Sequence, residues 1–429
     1  MASFALAIYI VLILVRPMDW WEPLLGWQLV TAGAIVVFFL GSQKVLNRFQ
    51  TTWKDIPQIK LAVAFWIAAI LSWGTQFWFG GMVTAFQELG KVLFFFVLIL
   101  LLVRTNRDFS FLIWALLLSV LWLAVHAILQ HHRGYGFGGY PPLERIRNRE
   151  TGEIVRQARA FGVFNDPNDL CLILVVAIPC FYVLYKTYHN PIGRAFCLAG
   201  GAVSAYGAWC TNSRGGVVAL FGMVVSYVIV STKGLRRYLV ATTAISLVTV
   251  LAPSRFGGGM SGSARSIQWG DGLAMFKAHP LFGVGYGDFT SYSSEHMVAH
   301  NTYIHVLAEL GLVGYLPFFL IIYLTLLYLR RTINLGPLLA PNVRLVLIGI
   351  FSALTGYFTG MYFVSRQFQH ILYVLFGIAI TAVYSACKSA GVYQTVFGNL
   401  KTDLRNGLLW GLGSVGIIWI SIRAATMLS

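Results

Sequence analysis

Twelve or thirteen long apolar stretches follow one another along this 429-residue chain, and they leave it few ways to fold. They are read at 2–16, 27–43, 60–79, 88–103, 108–130, 169–187, 195–211, 215–231, 238–252, 301–329, 345–364, 369–387 and 406–423. A helix of about 20 apolar residues crosses a hydrocarbon core roughly 30 Å thick. Apolar residues make up 58% of the chain, charged residues 11%, and the mean hydropathy is +0.72. A water-soluble domain of this length has no means of covering its surface with so few polar groups. The expected class is an all-α polytopic membrane protein with about 12 (12–13) transmembrane helices.

The first stretch has no small-residue cleavage site and closes on Arg16-Pro17, so it is expected as a retained helix. All five cysteines fall inside or at the ends of apolar stretches, without CxxC spacing, which fits small packing residues.

The net charge is +16, and its distribution sets the orientation. With the N-terminus cytoplasmic, one set of loops carries Lys44, Arg48, Lys54, Lys60, Arg104, Arg107, Lys186, Arg194, Lys233, Arg236, Arg237, Arg330, Arg331, Arg344, Lys388, Lys401 and Arg405. The short loops then obey the positive-inside rule in turn. The other face is nearly all arginine: Arg133, Arg145, Arg147, Arg149, Arg156, Arg159, Arg214, Arg255, Arg265 and Arg366. Arginine's planar fork matches phosphate oxygens two at a time, which a lysine point charge does not. For the 145–159 cluster, lipid headgroups or Glu144, Glu150 and Glu153 are the competing partners.

Two long segments on that outer face interrupt the helices. Segment 131–168 has a Gly- and Arg-rich start expected to be irregular, and it ends in Asn165-Asp166-Pro167-Asn168-Asp169, a turn and helix N-cap. The adjacent His131 and His132 would point in different directions on a helix. Segment 253–300 holds Gly257-Gly258-Gly259, an amphipathic stretch at 264–278, and Leu281-Phe282-Gly283-Val284-Gly285-Tyr286-Gly287. Outer loops of this length are usually functional. The chain therefore divides into N-terminal helices 1–130, the loop 131–168, central helices 169–252, the loop 253–300 and C-terminal helices 301–429.

Chemistry-bearing residues cluster in these segments. His300 stands at the mouth of the stretch 301–329, and a histidine titrating near pH 6.5 can accept a proton. The bland alternative is an interfacial histidine bonded to a neighbouring loop. His305 and Glu309 share a helix face at i,i+4, a spacing that serves structural pairing at least as well as catalysis. Arg214 precedes Gly215-Gly216, where a ligand can approach the backbone and helix-start amides favour phosphate. Arg265 lies on the amphipathic stretch, and Arg366 in Ser365-Arg366-Gln367-Phe368. Asp288 and Glu295 are the carboxylates near His300 in sequence. Walker A, H-E-x-x-H and D-x-D patterns are absent, so phosphate charge would be neutralised by side chains, with no metal and no cofactor.

Several of these motifs, in this order, resemble the O-antigen ligase and polymerase superfamily of bacterial envelopes. They are Gly162-x-Phe164-x-Asp166-Pro167-Asn168-Asp169, Ser213-Arg214-Gly215, Ala264-Arg265-x-x-x-Trp269, Pro280-Leu281-x-Gly283-x-Gly285, His300-Asn301-x-Tyr303 and Glu309-Leu310-Gly311-x-x-Gly314. The match spans roughly 160–330. The resemblance implies a GT-C-type, metal-independent, inverting glycosyltransferase in the bacterial inner membrane, with its site periplasmic. Its donor would be a glycan on undecaprenyl pyrophosphate and its acceptor lipid A–core or another glycan, among membrane lipids and without nucleic acid. By the same resemblance His300 is the base, while Arg214 and Arg265 hold the pyrophosphate. Asn301, Tyr303, Ser213 and Arg159 are expected as substrate contacts, and Arg366 joins them on its position alone. Ligation to lipid A–core is favoured over polymerisation of lipid-linked repeat units. A lipid-linked glycan transporter is the third reading, and it would call for mid-span charges. The stretches hold almost none, Lys91 being placed near an end.

Overall fold

A computed structural model describes residues 1–148, 153–232, 234 and 261–428. Its helices are α1 (Ala2–Val15), α2 (Leu29–Asp55), α3 (Pro57–Gly74), α4 (Phe79–Leu102), α5 (Asn106–Arg133), α6 (Pro167–Thr187), α7 (Pro191–Cys210) and α8 (Arg214–Ser231). After them come α9 (Ser261–Ala278), the short α10 (Phe289–Tyr292), α11 (Thr302–Asn334), α12 (Pro341–Gly360), α13 (His370–Ser389), the short α14 (Tyr393–Phe397) and α15 (Leu400–Leu428). Among the described residues, 10 helices are long and apolar enough to cross a membrane. Helices α7 and α15 reach that length but are not among the ten, and the expected stretch 238–252 lies outside the described residues, as do Arg149, Arg255 and Gly257–Gly259.

Local chemistry explains most helix starts. Proline occupies the first turn of α3, α6, α7 and α12, where its missing N–H costs nothing. Thr105 and Asp108 form a reciprocal capping box on α5, and Asp166, Asn190, Ser213 and Asn301 accept backbone N–H groups at the starts of α6, α7, α8 and α11. Helices are the natural solution in lipid because every backbone polar group is satisfied within the segment. Large apolar side chains face outward along them, among them Phe39, Leu46, Leu198, Trp410 and Ile417. Inside, α12 packs against α8 and α6, while α11 packs against α3, α9 and α15 around Phe65, Phe318 and Phe376.

Three local features differ from expectation. Helix α5 runs on through His131 and His132 to Arg133, and Gly134 ends it in a left-handed conformation. Beyond it the segment forms an antiparallel hairpin, β1 (Leu143–Asn148) with β2 (Glu153–Gln157), instead of irregular chain alone. Lys91 is not at the end of a span: it is the thirteenth residue of the 24-residue α4 and pairs with Glu88 at 2.7 Å, both well exposed.

The most consequential irregularity is in α11. Gly311 has φ 57° and ψ −159°, a conformation essentially reserved for glycine, and it divides the helix. The loop 280–287 repairs the break. Leu312 and Val313 donate to the carbonyls of Pro280 and Leu281 at 2.9 and 3.0 Å, and Val284 and Gly285 donate to those of Ala308 and Glu309, both at 3.0 Å. A Cβ at Gly311 would collide with the Leu281 carbonyl, and one at Gly283 with the backbone of Glu309. The loop is also anchored to the end of α3: Trp73 Nε1 donates to the Tyr286 carbonyl and Tyr286 N to Ser72 Oγ, both at 3.0 Å, and Gln76 Nε2 donates to the Val284 carbonyl.

At the opposite end of the bundle, Arg104 lies 4.5 Å over the Tyr384 ring, whose hydroxyl donates to Asp55. Arg331 makes two 2.6 Å bonds to Asp403, tying α15 to α11.

Candidate active site

His300 occupies a corner. Its φ of 48° is left-handed, uncommon for a residue with a side chain. Neighbours on either side enforce it. Trp269 of α9 donates Nε1 to the Ala299 carbonyl at 3.0 Å. Asn301 caps α11, accepting from the amides of Tyr303 and Ile304 at 3.0 and 3.2 Å. Thr302 Oγ1 donates to the Val364 carbonyl at 2.6 Å and accepts from the Arg366 amide at 3.1 Å. The corner is thus clamped between α9 and the segment joining α12 to α13.

A cavity of about 240 Å³ opens beside it, lined by His300, His305, Glu309, Asp166, Asp169 and Arg366 together with Thr290, Gln367 and others. The Arg366 guanidinium engages Asp169 with both ends of its fork, Nε to Oδ1 at 2.6 Å and Nη2 to Oδ2. Burial disfavours the arginine charge, but the Asp169 carboxylate outweighs it and holds the Arg366 pKa above its ordinary value. Removing one partner of such a buried pair strands the other. Arg366→Ala is expected to cost toward the lower end of about 3–5 kcal/mol, because the arginine keeps some exposure, and Asp169→Asn with Arg366→Gln together less than their sum. A thermal-denaturation double-mutant cycle measures this, and a coupling near zero would remove the pair's structural role.

Below His300, His305 Nε2 lies 2.8 Å from Glu309 Oε1, which also accepts from the Phe289 amide at 3.1 Å. Both side chains are buried.

The remaining expected residues divide in two groups. Ser213 caps α8, accepting from Gly216 N at 3.0 Å, and donates to Asn168 Oδ1 at 2.7 Å. It is therefore linked through the start of α6 to Asp166, Asp169 and Arg366. The Arg265 guanidinium lies 5.7 Å from the Phe363 ring centre, and Gly215, the residue after Arg214, packs on the same side chain, where an added Cβ would stand 2.7 Å from Phe363 Cβ. Neither arginine lines the cavity. Arg159 covers the Tyr140 ring at 5.1 Å and donates to Asn165 Oδ1 at 3.2 Å, also outside the lining. The Tyr303 hydroxyl turns inward and donates to the Phe358 carbonyl at 2.8 Å. Asp288 and Glu295 do not line the cavity either. Sequence reasoning treated Asp166 and Asp169 only as turn and cap residues; two acids flanking a helix start opposite a lone Arg366 were the available signal. Phe363 gave none.

Residues 199–319, which include Ser213, Arg214, Arg265, His300 and the broken helix, match the family model described as O-antigen ligase. The match supports the O-antigen ligase and polymerase superfamily. That family implies a glycosyltransferase-like enzyme, and the ten helices of spanning length among the described residues fit a multi-pass membrane protein. No curated protein matches it significantly. The matched region ends in α11 just beyond the Gly311 break, so it holds both sides of the loop-to-helix repair. The Arg366 and Gln367 side of the cavity lies beyond it.

Proposed function

We infer that this enzyme transfers a glycan from undecaprenyl pyrophosphate to a sugar hydroxyl on lipid A–core, at the periplasmic face of the bacterial inner membrane. The observation that carries the reading is His300 held at a strained corner over a polar cavity, with Arg265 over the Phe363 ring and Arg214 preceding Gly215, which packs on the same side chain. The arginine-rich end faces the periplasm and the end holding Arg104, Arg331 and Lys388 faces the cytoplasm, in keeping with the positive-inside rule.

In this mechanism His300 takes the proton of the acceptor hydroxyl as its oxygen attacks the anomeric carbon. The bond from that carbon to the phosphate oxygen breaks, and its electron pair leaves with the pyrophosphate. Arg214 and Arg265 stabilise the growing charge, helped by the first amides of α8. Displacement from the opposite face inverts the anomer. Ser213 and Asn301 fix the two helix starts, and Arg366 with Asp169 braces the cavity wall; no step requires a metal.

Arg214→Ala and Arg265→Ala should each lower the transfer rate by roughly 10²–10³-fold, the usual loss for one charge-stabilising donor. Arg236→Lys, on a cytoplasmic loop by the same orientation, should leave the rate near wild type. Equal effects at all three positions would mean that overall charge, rather than a pyrophosphate site, governs the reaction.

The direct test is glycan transfer by the purified protein from a lipid-linked donor, with and without rough lipopolysaccharide. Product that requires the lipopolysaccharide supports ligation. Lengthened lipid-linked glycan in its absence would make the enzyme a polymerase. Movement of labelled lipid across vesicles without any product would return the transporter reading.

A further inference from the structure

Among the described residues, ten buried side-chain nitrogen or oxygen atoms have no hydrogen-bond partner, and half of them gather in one place. His305 Nδ1, Glu309 Oε2, Ser365 Oγ and Gln367 Oε1 belong to residues that line the cavity beside His300. A fifth, Asn301 Nδ2, belongs to the cap next to that histidine. Buried polar groups are normally paired, because leaving one unpaired forfeits its hydration for nothing. A concentration of them at one cavity marks a surface built for a ligand that brings the missing partners.

The geometry points to a sugar-ring subsite in this cavity, formed by His305, Glu309, Ser365 and Gln367, that receives the acceptor and presents one of its hydroxyls to His300. The assignment rests on the glycosyl-transfer reading above. Three lines of argument lead to it, from charge, chemistry and size.

The cavity carries Asp166, Asp169 and Glu309 against a single arginine, Arg366, whose fork Asp169 already occupies. A pyrophosphate entering there would meet surplus carboxylates, whereas Arg214 and Arg265 lie outside the lining, Arg265 over Phe363. The donor's phosphates therefore belong with the arginines, and the cavity is left for a neutral group. The chemistry is that of a polyol. Glu309 Oε2 and Gln367 Oε1 accept, Ser365 Oγ does either, and a sugar hydroxyl does either as well. Phe289 and Phe368 supply apolar walls for the carbon face of the ring. At about 240 Å³ the space falls below the roughly 300–1,000 Å³ that holds drug-sized ligands, so it suits one ring and excludes a glycolipid as a whole. The acceptor, not the donor, is placed here because the attacking hydroxyl must come within hydrogen-bond reach of the base.

The test uses the full chain in lipid nanodiscs and two variants, Ser365→Ala and Gln367→Leu. Each removes an oxygen that has no other partner, so each should melt as wild type does. Glu309→Gln, which keeps an oxygen for the Phe289 amide, serves where either fails to fold. The probes are a dephosphorylated core oligosaccharide and a free O-antigen repeat oligosaccharide, observed by saturation-transfer NMR without turnover. Ring protons of one of them should receive saturation from wild type and at least several-fold less from the variants. Arg214→Ala should leave that signal intact. In steady-state transfer, the variants should raise the acceptor KM tenfold or more with the donor KM unchanged. Saturation of neither sugar, or equal saturation by wild type and variants, overturns the subsite. Absent transfer by wild type would instead sink the proposed function, while the NMR readout would still decide whether the cavity holds a sugar.

Discussion

Replacing His300 with alanine is expected to lower glycan transfer by roughly two to four orders of magnitude, the usual contribution of a positioned general base. The loss should fall on the rate of transfer and leave binding of the lipid-linked donor largely intact, since neither Arg214 nor Arg265 lines the cavity beside the imidazole. His300→Gly separates chemistry from backbone. Glycine adopts φ 48° without strain, so the corner set by Trp269, Asn301 and Thr302 should persist, and stability should hold or rise while activity is lost. Partial recovery of the glycine variant by added imidazole would tie the loss to proton transfer. A rate near wild type in either variant would remove His300 from the chemistry.

Gly311→Ala should be among the most damaging small substitutions in the chain. An alanine cannot take φ 57° with ψ −159° without strain of about 1–3 kcal/mol, and its Cβ would press on the Leu281 carbonyl in addition. Relief would require separating the loop 280–287 from α11, which gives up four backbone hydrogen bonds in a buried setting. The expected result is a loss of at least about 3 kcal/mol, read as a large fall in melting temperature in detergent. Gly314, three residues on, has no positive φ but its added Cβ would stand 2.3 Å from Leu310 Cβ, so Gly314→Ala tests crowding without the strained conformation and should cost less. Similar losses at both positions would mean that tight packing, rather than the helix break, is what matters.

The outline of the fold was readable because its signals are local. Apolar runs of spanning length, prolines in first turns, and the Asp166, Ser213 and Asn301 caps each announce a helix within a few residues of where it begins. Features made by distant partners were not readable. Nothing at 280–287 says that its amides will bond to residues 308–313, and the glycines of both motifs acquire their meaning only when the two backbones meet. The hairpin 143–157 was hidden by charge: its arginines and glutamates obscure the alternation that marks a strand. Lys91 was misplaced because the Gly80-Gly81 and Gln87-Glu88 portion of α4 dilutes its apolar pattern, which made the span look as though it began at 88. At the site, His300 and Arg366 were picked by residue type and position. Asp169 as the partner of Arg366, and Phe363 as the ring under Arg265, depend on three-dimensional closure between segments about two hundred and one hundred residues apart.

The repair of the broken helix uses main-chain atoms alone, and this divides the labour along the loop. Leu281 accepts and Val284 donates main-chain bonds that do not depend on their side chains, while the glycines at 283, 285, 287 and 311 are set by their backbone conformation. The frame around the cavity is therefore insulated from the identity of most side chains mounted on it. Thr290 and Val298, which follow the frame, reach the cavity wall and are only partly buried, are free to diverge. Such a scaffold lets a lineage alter which sugar it accepts through a few exchanges just past Tyr286, without first having to re-establish how the helix and loop hold together.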